Sequence, residues 1–300
     1  MIYLAPMEGI TTYVFRNALA KYYGGIDRYY TPFLTASHLK GRELRDVCPE
    51  NNQGIDVVPQ ILTNDPELFI LISDQLAVIG YNEVNLNLGC PSGTVVSKRR
   101  GAGMLYDTVE LDRFLDHVYS KCTLKISIKT RIGMEFLSEW DDILEVYKKY
   151  PIEELIIHPR LRNEFYKGEV HKDAFDKAFD MLADTKLCYN GDITDIESFK
   201  AVKHSVPVMI GRGLVMNPNL ANDIKNGVKA DYDRATFRKF LDELLENYMT
   251  EMSHEKQVVM KMKELWTYFS MGLNLDKKQL KEIHKVSRIS EYKSVIQMLI

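Results

Sequence analysis

Two glycine-containing turns carry residues suited to holding an anion. One is Asn190-Gly191-Asp192 and the other is Gly211-Arg212-Gly213, and each follows a short apolar run. Glycine lets a ligand approach backbone N–H groups closely, and the guanidinium of Arg212 can form two parallel hydrogen bonds with a phosphate. The two turns therefore predict a site for an anionic cofactor or substrate.

Two further titratable side chains lie at the ends of other apolar runs. Lys129 ends one run and His158 ends the next. An amine or an imidazole in such a position can face an electron-rich ring or polarise a substrate carbonyl. Lys129 is also suited to Schiff-base chemistry, so the residue types alone leave both readings open.

A cysteine lies in the turn Asn87-Leu88-Gly89-Cys90-Pro91, upstream of the basic run Lys98-Arg99-Arg100. A thiol with an ordinary pKa of about 8.5 is mostly protonated at neutral pH and can donate a proton. A nucleophilic role needs an activating base, and the sequence shows no Cys/His pairing. These features favour proton donation by Cys90.

Similar groups end most of the apolar runs. A glycine after a strand ordinarily marks a turn, and a lone histidine is ordinarily a satisfied core or surface group. Six or seven such groups at equivalent positions are hard to attribute to turns alone. They are Pro6-Met7-Glu8, Gln60, Asn87 to Pro91, Lys129-Thr130-Arg131, His158-Pro159-Arg160, Asn190-Gly191-Asp192 and Gly211-Arg212-Gly213.

Parallel strands would bring all these groups to one edge. Short β-rich runs alternate with amphipathic stretches through the first 211 residues, and this alternation predicts a parallel sheet. The predicted strands are residues 2–5, 28–32, 56–61, 83–88, 124–130, 154–158, 186–190 and 207–211. The predicted helices are residues 12–23, 66–79, 108–121, 139–150, 173–183 and 195–204, with a long loop at 41–54.

Eight such units in 230 residues predict an α/β fold, a closed (β/α)8 TIM barrel, whose typical length is ~250 residues. Ligands bind such barrels at the carboxyl ends of the strands. Residues 231–300 show no strand signal, and Leu241, Leu244, Leu245 and Tyr248 form one helical face. We predict a barrel domain at 1–230 and an all-helical domain at 231–300.

Composition and charge narrow the class of protein. Hydrophobic residues at 45% and charged residues at 27% are typical of a globular protein. The net charge is −3, but residues 256–300 hold nine Lys and Arg against four Asp and Glu, which is +5 and leaves −8 for the rest. Taken alone, this basic stretch is typical of a solvated helix face.

Cysteine spacing argues against structural metal and disulfide bonds. Cys48, Cys90, Cys122 and Cys188 lie far apart without a CxxC pair, so we expect no metal, and we expect Cys188, inside a predicted strand, only to pack. Residues 1–25 lack the unbroken apolar stretch of a signal peptide, and no run approaches a membrane span. We expect a cytoplasmic protein that does not bind membranes.

With these residues in hand, the chain resembles the tRNA-dihydrouridine synthase family from about residue 2 to at least residue 220. The C-terminal part resembles the family's RNA-binding helical domain through the basic stretch at 261–266. Order and spacing are family-like, and the segment around the cysteine is the most specific. The matching segments are LAPMEGIT at 4–11, VNLNLGCPSGTVVSKRRGAGML at 84–105, IKTRIG at 128–133, IIHPR at 156–160, YNGDI at 189–193 and MIGRG at 209–213.

The resemblance implies bound FMN and a set of residues around it. Residues 6–8 would line the isoalloxazine, three polar side chains would contact its ring edge or ribityl chain, and the two glycine turns would hold the ribityl phosphate. In the same order the implied contacts are Pro6, Met7 and Glu8; Gln60, Lys129 and His158; and Asn190, Gly191, Asp192, Gly211 and Arg212.

The resemblance also implies a general acid and an RNA-binding surface. Cys90 matches the general acid of the family. The implied RNA contacts are Asn87, Lys98, Arg99, Arg100, Arg131, Lys261 and Lys263.

The implied reaction reduces the carbon 5–carbon 6 double bond of specific uridines in tRNA to 5,6-dihydrouridine with NADPH as reductant. A hydride added at carbon 6 sends negative charge toward the carbon 4 oxygen, and carbon 5 then needs a proton, which Cys90 would supply. The base must leave its stack at a cost of roughly a few kcal/mol, so a folded RNA needs a second surface, for which the basic helices are the candidate. We expect a monomer.

Three other functions stay open at this point. An FMN barrel acting on a free pyrimidine, such as a dihydroorotate dehydrogenase, would share the phosphate site and the cysteine but would have no use for a basic helical domain. A Schiff-base lyase using Lys129 would need no flavin. A non-catalytic RNA-binding barrel would need neither Cys90 nor a cofactor.

Overall fold

The computed structural model describes residues 1–300 and contains one sheet of nine parallel strands. Their order in the sheet is β3-β2-β1-β9-β8-β7-β6-β5-β4. The strands are β1 (Ile2–Leu4), β2 (Arg28–Tyr30), β3 (Val57–Val58), β4 (Gln60–Ile61), β5 (Glu83–Leu88), β6 (Lys125–Arg131), β7 (Leu155–His158), β8 (Leu187–Asn190) and β9 (Val208–Ile210).

The two ends of the sheet meet at one proline. Strand β3 pairs with β2, whereas β4 pairs with β5, and only Pro59 separates β3 from β4. Proline has no N–H for the ladder, so it divides the strand predicted at 56–61 into two short ones. Its carbonyl still accepts a hydrogen bond from the Asn85 N–H at 2.8 Å. The eight predicted strands are all present in a nearly closed barrel, and the predicted fold class is confirmed.

Fourteen helices surround or follow the sheet, and none has both the length and the apolar composition needed to cross a membrane. The helices predicted at 66–79 and 108–121 match α3 and α5. The helices are α1 (Tyr13–Tyr22), α2 (Gly41–Val47), α3 (Pro66–Ile79), α4 (Gly93–Val96), α5 (Thr108–Lys121), α6 (Glu139–Tyr147), α7 (Lys172–Met181), α8 (Ile196–Lys200), α9 (Arg212–Met216), α10 (Leu220–Asn226), α11 (Arg234–Glu251), α12 (Glu255–Gly272), α13 (Lys277–Lys285) and α14 (Ile289–Leu299).

Local sequence sets the ends of the two best-predicted helices. The Asp65 carboxylate accepts hydrogen bonds from the N–H groups of Glu67 and Leu68, and Pro66 occupies the first helical position. Helix α3 stops at Gly80, whose φ of 112° is the left-handed conformation that favours glycine. Asp107 caps α5 in the same way as Asp65 caps α3.

The prediction of a long loop at 41–54 was wrong, because part of that segment forms helix α2. Its short polar sequence has no long helical periodicity, and tertiary contacts fix it instead. The buried Asp46 carboxylate accepts a hydrogen bond from the Tyr13 N–H at 2.7 Å and lies 3.6 Å from the Arg16 guanidinium. These partners lie about thirty residues away and cannot be identified from the local pattern.

Alternation along the strands divides the barrel interior into layers. Tyr3, Tyr30 and Cys188 point inward and are buried together, and Cys188 packs as predicted. Nearer the carboxyl ends the inward positions become polar, at Gln60 and Lys129. The interior is therefore filled at one end and open and polar at the other.

The last four helices pack on the barrel as a continuation of its core. Helix α11 buries Leu241, Leu244, Leu245 and Tyr248, the face predicted from the sequence. Phe240 meets the barrel helix α1, with ring centroids 5.9 Å from Phe15, and one cluster of 68 buried apolar residues spans both parts. Because the core is continuous, a division of the chain between residues 230 and 231 stays a prediction.

Helix α12 ends on a glycine that touches the barrel. A Cβ added at Gly272 would lie 1.8 Å from the carbonyl oxygen of Met216, the last residue of α9. We expect Gly272→Ala to lower the free energy of unfolding by about 1–3 kcal/mol, since overpacking forces neighbouring backbone to move. Urea unfolding checks this. Gly93→Ala is the control because open space surrounds Gly93, and equal stability of the two variants would contradict the contact.

Candidate active site

An open cavity of about 370 Å³ lies at the carboxyl ends of the strands. It contains every residue predicted for catalysis or cofactor binding and two of those predicted for RNA binding. They are Pro6, Met7, Glu8, Gln60, Asn87, Cys90, Lys129, Arg131, His158, Asn190, Gly191, Asp192, Gly211 and Arg212. Residues spread over more than 200 positions of sequence thus converge on one space.

Two other cavities lie elsewhere. One of about 340 Å³ opens on the outer wall beside Arg99, and one of about 1170 Å³ lies between the barrel and the C-terminal helices. The second is larger than the cavity at the barrel mouth. We nevertheless identify the mouth as the candidate site, because buried cationic groups and a thiol with shifted pKa values, those of Lys129, Arg131, His158 and Cys90, converge on this open cavity.

Positive charge accumulates on the floor of this mouth cavity. Burial, reinforced by the neighbouring charge of Arg131, lowers the pKa of Lys129 to about 8, and no carboxylate contributes to that shift. Burial likewise lowers the pKa of Arg131 to about 10. Burial and the adjacent cations hold the pKa of His158 well below its usual range, so its imidazole is neutral at pH 7. A bound anion would relieve this repulsion.

A buried amide network orients one wall of the cavity. The Asn87 side-chain amide donates to the Gln60 oxygen at 2.7 Å, and the Gln60 amide donates to the Asn85 oxygen at 2.8 Å. The Asn87 oxygen accepts hydrogen bonds from the N–H groups of Gly89 and Cys90 at 3.1 and 2.5 Å. Asn87 and Gln60 are thereby locked, and Asn87 holds the turn that carries the thiol.

Cys90 lies half-buried on that turn. Its carbonyl accepts a hydrogen bond from the Ala102 N–H at 3.0 Å, and the backbone of Gly101 approaches so closely that an added Cβ would lie 3.1 Å from the Cys90 Cβ. Burial raises the pKa of the thiol despite the opposing charges of Arg131 and Lys129. At neutral pH Cys90 is therefore protonated, as a proton donor requires and a nucleophile does not.

Arg131 ties two loops of the rim together. Its fully buried guanidinium donates to the carbonyl oxygens of Gly89 at 2.9 Å, Leu161 at 2.8 Å and Phe165 at 2.6 Å. The charge lies 5.4 Å from the ring centroid of Tyr166, close enough for a cation–π contact. The position predicted for RNA contact thus performs a structural task inside the protein.

The turns after β8 and β9 form the opposite side. Asp192 has a backbone φ of 42°, and its carboxylate lies between the guanidinium groups of Arg160 and Arg212. Burial opposes ionisation of Asp192, but the hydrogen bonds and charges of the two arginines outweigh it and lower its pKa. A Cβ at Gly213 would lie 2.2 Å from the Ile193 carbonyl oxygen, so only glycine brings the two turns this close.

Sequence reasoning missed several residues of the cavity wall, of which Tyr166, Glu264 and Tyr268 carry polar or charged groups near the predicted site. Tyr166 stacks near His158, with centroids 6.2 Å apart, and lies 4.9 Å from the Arg212 guanidinium. Glu264 and Tyr268 reach the cavity from α12. Their spacing of four residues places them on one helix face, a signal that was present in the sequence, whereas nothing marks Tyr166 within its loop.

The basic residues predicted for RNA binding lie outside the cavity, except for Arg131. Lys98 and Arg99 are exposed, and Arg100 donates to the Asn64 side chain at 3.2 Å. Lys261 donates to the Gly9 carbonyl at 2.8 Å and pairs with Glu264 on its own helix, while Lys263 is half-buried.

Fold and site together define a parallel βα barrel whose mouth places cationic side chains beside a protonated thiol. Morphinone reductase shares the fold, with a TM-score of 0.52 and 11% identity over 79% of this chain and 88% of that structure. The dihydrouridine synthase family model matches residues 3–298, so the chain belongs to that family.

Curated relatives agree with the family assignment. A probable tRNA-dihydrouridine synthase of Staphylococcus aureus strain Mu50 is 29% identical over 279 residues, 89% of this chain and 82% of the relative. Probable tRNA-dihydrouridine synthase 2 of Bacillus subtilis strain 168 is 32% identical over 228 residues, 72% of this chain and 69% of the relative.

Proposed function

We propose that this protein is an FMN-dependent oxidoreductase that reduces specific uridines of tRNA to 5,6-dihydrouridine with NADPH. The family assignment and the names of the relatives support a uridine in tRNA as the substrate. One observation carries the mechanism: a protonated thiol, that of Cys90, shares a cavity with the unpaired cation of Lys129.

The cavity fits an anionic cofactor by its charges and its close-packed glycines. Arg212, Gly191 and Gly211 would hold the ribityl phosphate, with Asn190 and Asp192 aligning that end. Gln60, Lys129 and His158 would contact the ring edge or the ribityl chain, and Pro6, Met7 and Glu8 would line the ring. When bound and reduced, FMN supplies the hydride that uracil needs at carbon 6.

The protein's own residues supply the proton and the charge stabilisation. Cys90 would transfer its thiol proton to carbon 5 of the substrate, leaving a thiolate that solvent reprotonates. The cationic floor formed by Lys129 and Arg131 would stabilise negative charge on the carbon 4 oxygen. Neutral His158 does not compete for the thiol proton of Cys90 because its pKa is strongly lowered.

The RNA would lie across the rim and the C-terminal helices. Lys98, Arg99 and Arg100 are candidates for phosphate contacts beside the Cys90 turn, as is Lys263 on α12. Lys261 would contribute only after leaving its partners, Gly9 and Glu264. Asn87 and Arg131 would act from inside the cavity on the extruded base.

A single-turnover experiment tests the proposal. Enzyme prereduced with NADPH is mixed anaerobically with unmodified tRNA, and the return of flavin absorbance is followed together with the gain of two mass units per modified uridine. The expected result is reoxidation coupled to dihydrouridine formation. Reoxidation by a free pyrimidine such as orotate, with none by tRNA, would instead support a dehydrogenase of free pyrimidines.

Replacing Arg212 tests the phosphate assignment. We expect Arg212→Ala to lose FMN affinity by about 10- to 100-fold, since hydrogen bonds between charged groups contribute roughly 1.5–3 kcal/mol. Fluorescence titration of the apoprotein with FMN measures it. Arg238→Ala is the control because Arg238 pairs with Asp242 on α11, away from the cavity. Equal affinities of the two variants would refute the assignment, as would FAD as the bound flavin.

The lowered pKa of Lys129 predicts a pH-dependent affinity for FMN. Below pH about 8 the ammonium of the free cavity is charged and ready for an anion; above that pH it must take up a proton on binding. Affinity is therefore expected to fall as pH rises from 8 to 9.5, by up to about tenfold per unit. Titrations across this range check it, and Lys129→Met should abolish the slope.

A further inference from the structure

Two adjacent loops beyond the cavity expose apolar side chains on a fixed backbone. One is 133–138, after β6, and the other is 161–168, after β7. Phe136 is 64% exposed, Leu137 49% and Phe165 41%. Phe136 and Phe165, which we name the aromatic rim, represent together with Leu137 apolar surface that folding leaves in water. Single exposed apolar residues are common, but a group beside a functional cavity indicates a binding surface.

The loops that carry the aromatic rim are firmly positioned. The Glu139 carboxylate accepts hydrogen bonds from the N–H groups of Glu135 and Phe136 at 3.3 and 3.2 Å. The second loop pairs with the first, because the Arg162 N–H donates to the Gly133 carbonyl at 2.9 Å. A backbone held this way presents Phe136 to solvent at little further entropic cost.

The rim is continuous with the cavity. Phe165 is followed by Tyr166, which lines the cavity, and the Phe165 carbonyl accepts from the buried Arg131 guanidinium. The Arg162 guanidinium lies 5.2 Å from the centroid of the Phe165 ring, and its Nε is buried without a hydrogen-bond partner. Arg162 forms no ion pair within the protein, so its charge is free for a ligand.

We propose that the aromatic rim is a stacking platform for the unpaired nucleotides that flank the target uridine in RNA. Flat rings beside an unpaired arginine match the chemistry of single-stranded nucleic acid, whose bases stack on aromatic side chains and on guanidinium groups. Extrusion of one base into the cavity unstacks its neighbours, and the rim replaces the stacking they lose. The proposal rests on the proposed function, since it assigns the position of the same substrate.

Two substitutions at Phe136 separate stacking from mere hydrophobicity. Phe136→Leu keeps an apolar side chain without a flat ring, whereas Phe136→Trp keeps the ring. With unmodified tRNA transcripts, we expect Phe136→Leu to raise Kd at least about fivefold, the lower bound for loss of one stacked base, and Phe136→Trp to bind like wild type. The dependence of Kd on salt should not change, because no charge is removed.

Controls and a second site complete the test. Val78→Ala removes an exposed apolar group from α3, away from the rim, and should leave RNA affinity unchanged. Phe165→Leu should weaken binding as Phe136→Leu does, with flavin content intact in both. Equal affinity of Phe136→Leu and wild type overturns the platform. The platform is also overturned if Phe136→Leu has a lower mass than wild type in sedimentation and an unchanged RNA affinity. That result would make the aromatic rim a contact between copies of the protein.

Measuring uridine reduction by wild type and by Phe136→Leu on the same tRNA transcripts keeps the two proposals apart. A wild-type enzyme that reduces no uridine overturns the proposed function and the platform together. A wild-type enzyme that is active, with a fully active Phe136→Leu variant of equal affinity, overturns the platform alone.

Discussion

Arg131→Met is expected to lower the free energy of unfolding by about 3–5 kcal/mol and to disable the active site. The substitution leaves the buried carbonyl oxygens of Gly89, Leu161 and Phe165 without their donor, and each unsatisfied polar group costs about 1–3 kcal/mol. Urea unfolding gives the loss of stability. Arg113→Met is the control because Arg113 is exposed and paired only with its neighbour Glu110.

Arg131→Lys decides whether the guanidinium acts inside the protein or on RNA. A lysine keeps the charge but cannot span three carbonyl oxygens, so the observed contacts predict a loss of stability close to that of Arg131→Met. A contact with an RNA phosphate predicts instead that lysine restores both stability and tRNA affinity. The first outcome would make Arg131 a positioning residue for the Cys90 turn and for the loop of Tyr166.

Most of the cavity was predictable because barrel topology converts sequence order into spatial convergence. Any residue at or next to the carboxyl end of a parallel strand lies at the same edge, so Gln60, Lys129 and His158 could be grouped without knowing a single distance. The glycine turns were recognisable for a similar reason. At Gly213 only glycine fits beside the Ile193 carbonyl, and the sequence displays that requirement directly.

The residues that escaped prediction depend on tertiary contacts. Tyr166 reaches the cavity because Arg131 fixes its loop from another strand, and Glu264 and Tyr268 reach it because α12 docks on α9. Helix α2 escaped for the same reason, since its buried carboxylate binds partners on α1. Hydrophobic periodicity and turn chemistry report on neighbours in sequence and not on such partners.

Charge alone does not distinguish a free lysine from one that has partners within the protein. Lys261 counts toward the basic C-terminal stretch, yet its ammonium is engaged by the Gly9 carbonyl and by Glu264. It joins α12 to the turn that follows β1. A census of charged residues treats this lysine and the exposed Lys98 as equal, whereas their availability for RNA differs.

Cys90→Ala is expected to slow one step of the proposed reaction by about 10²–10⁴-fold, the range typical of general acid catalysis. The variant should retain FMN, bind tRNA and accept electrons from NADPH, because none of these steps uses the thiol. Only the reoxidation of reduced flavin by tRNA should be slower. Single-turnover mixing of prereduced enzyme with unmodified tRNA isolates that step.

The pH dependence of flavin reoxidation by tRNA offers an independent check on the role of Cys90. Burial raises the pKa of Cys90, so the thiol stays protonated through neutral pH and the wild-type rate should decline only in more alkaline solution. The alanine variant should lack that decline, since it has no thiol to ionise. If the rate of the alanine variant still declines in alkaline solution, the titration belongs to another group. Lys129, whose pKa is about 8, is the nearest candidate.

Cys188→Ala supplies the matched comparison. Cys188 is fully buried inside the barrel beneath the cavity and packs with Tyr3 and Tyr30, so its replacement removes contact area and should change stability more than rate. A slow step confined to Cys90→Ala therefore reflects proton transfer and not loosened packing. If the reduced flavin of the Cys90 variant is reoxidised at the wild-type rate, a water or another side chain must protonate carbon 5. The raised pKa of the thiol would then reflect nothing more than its position in a half-buried turn.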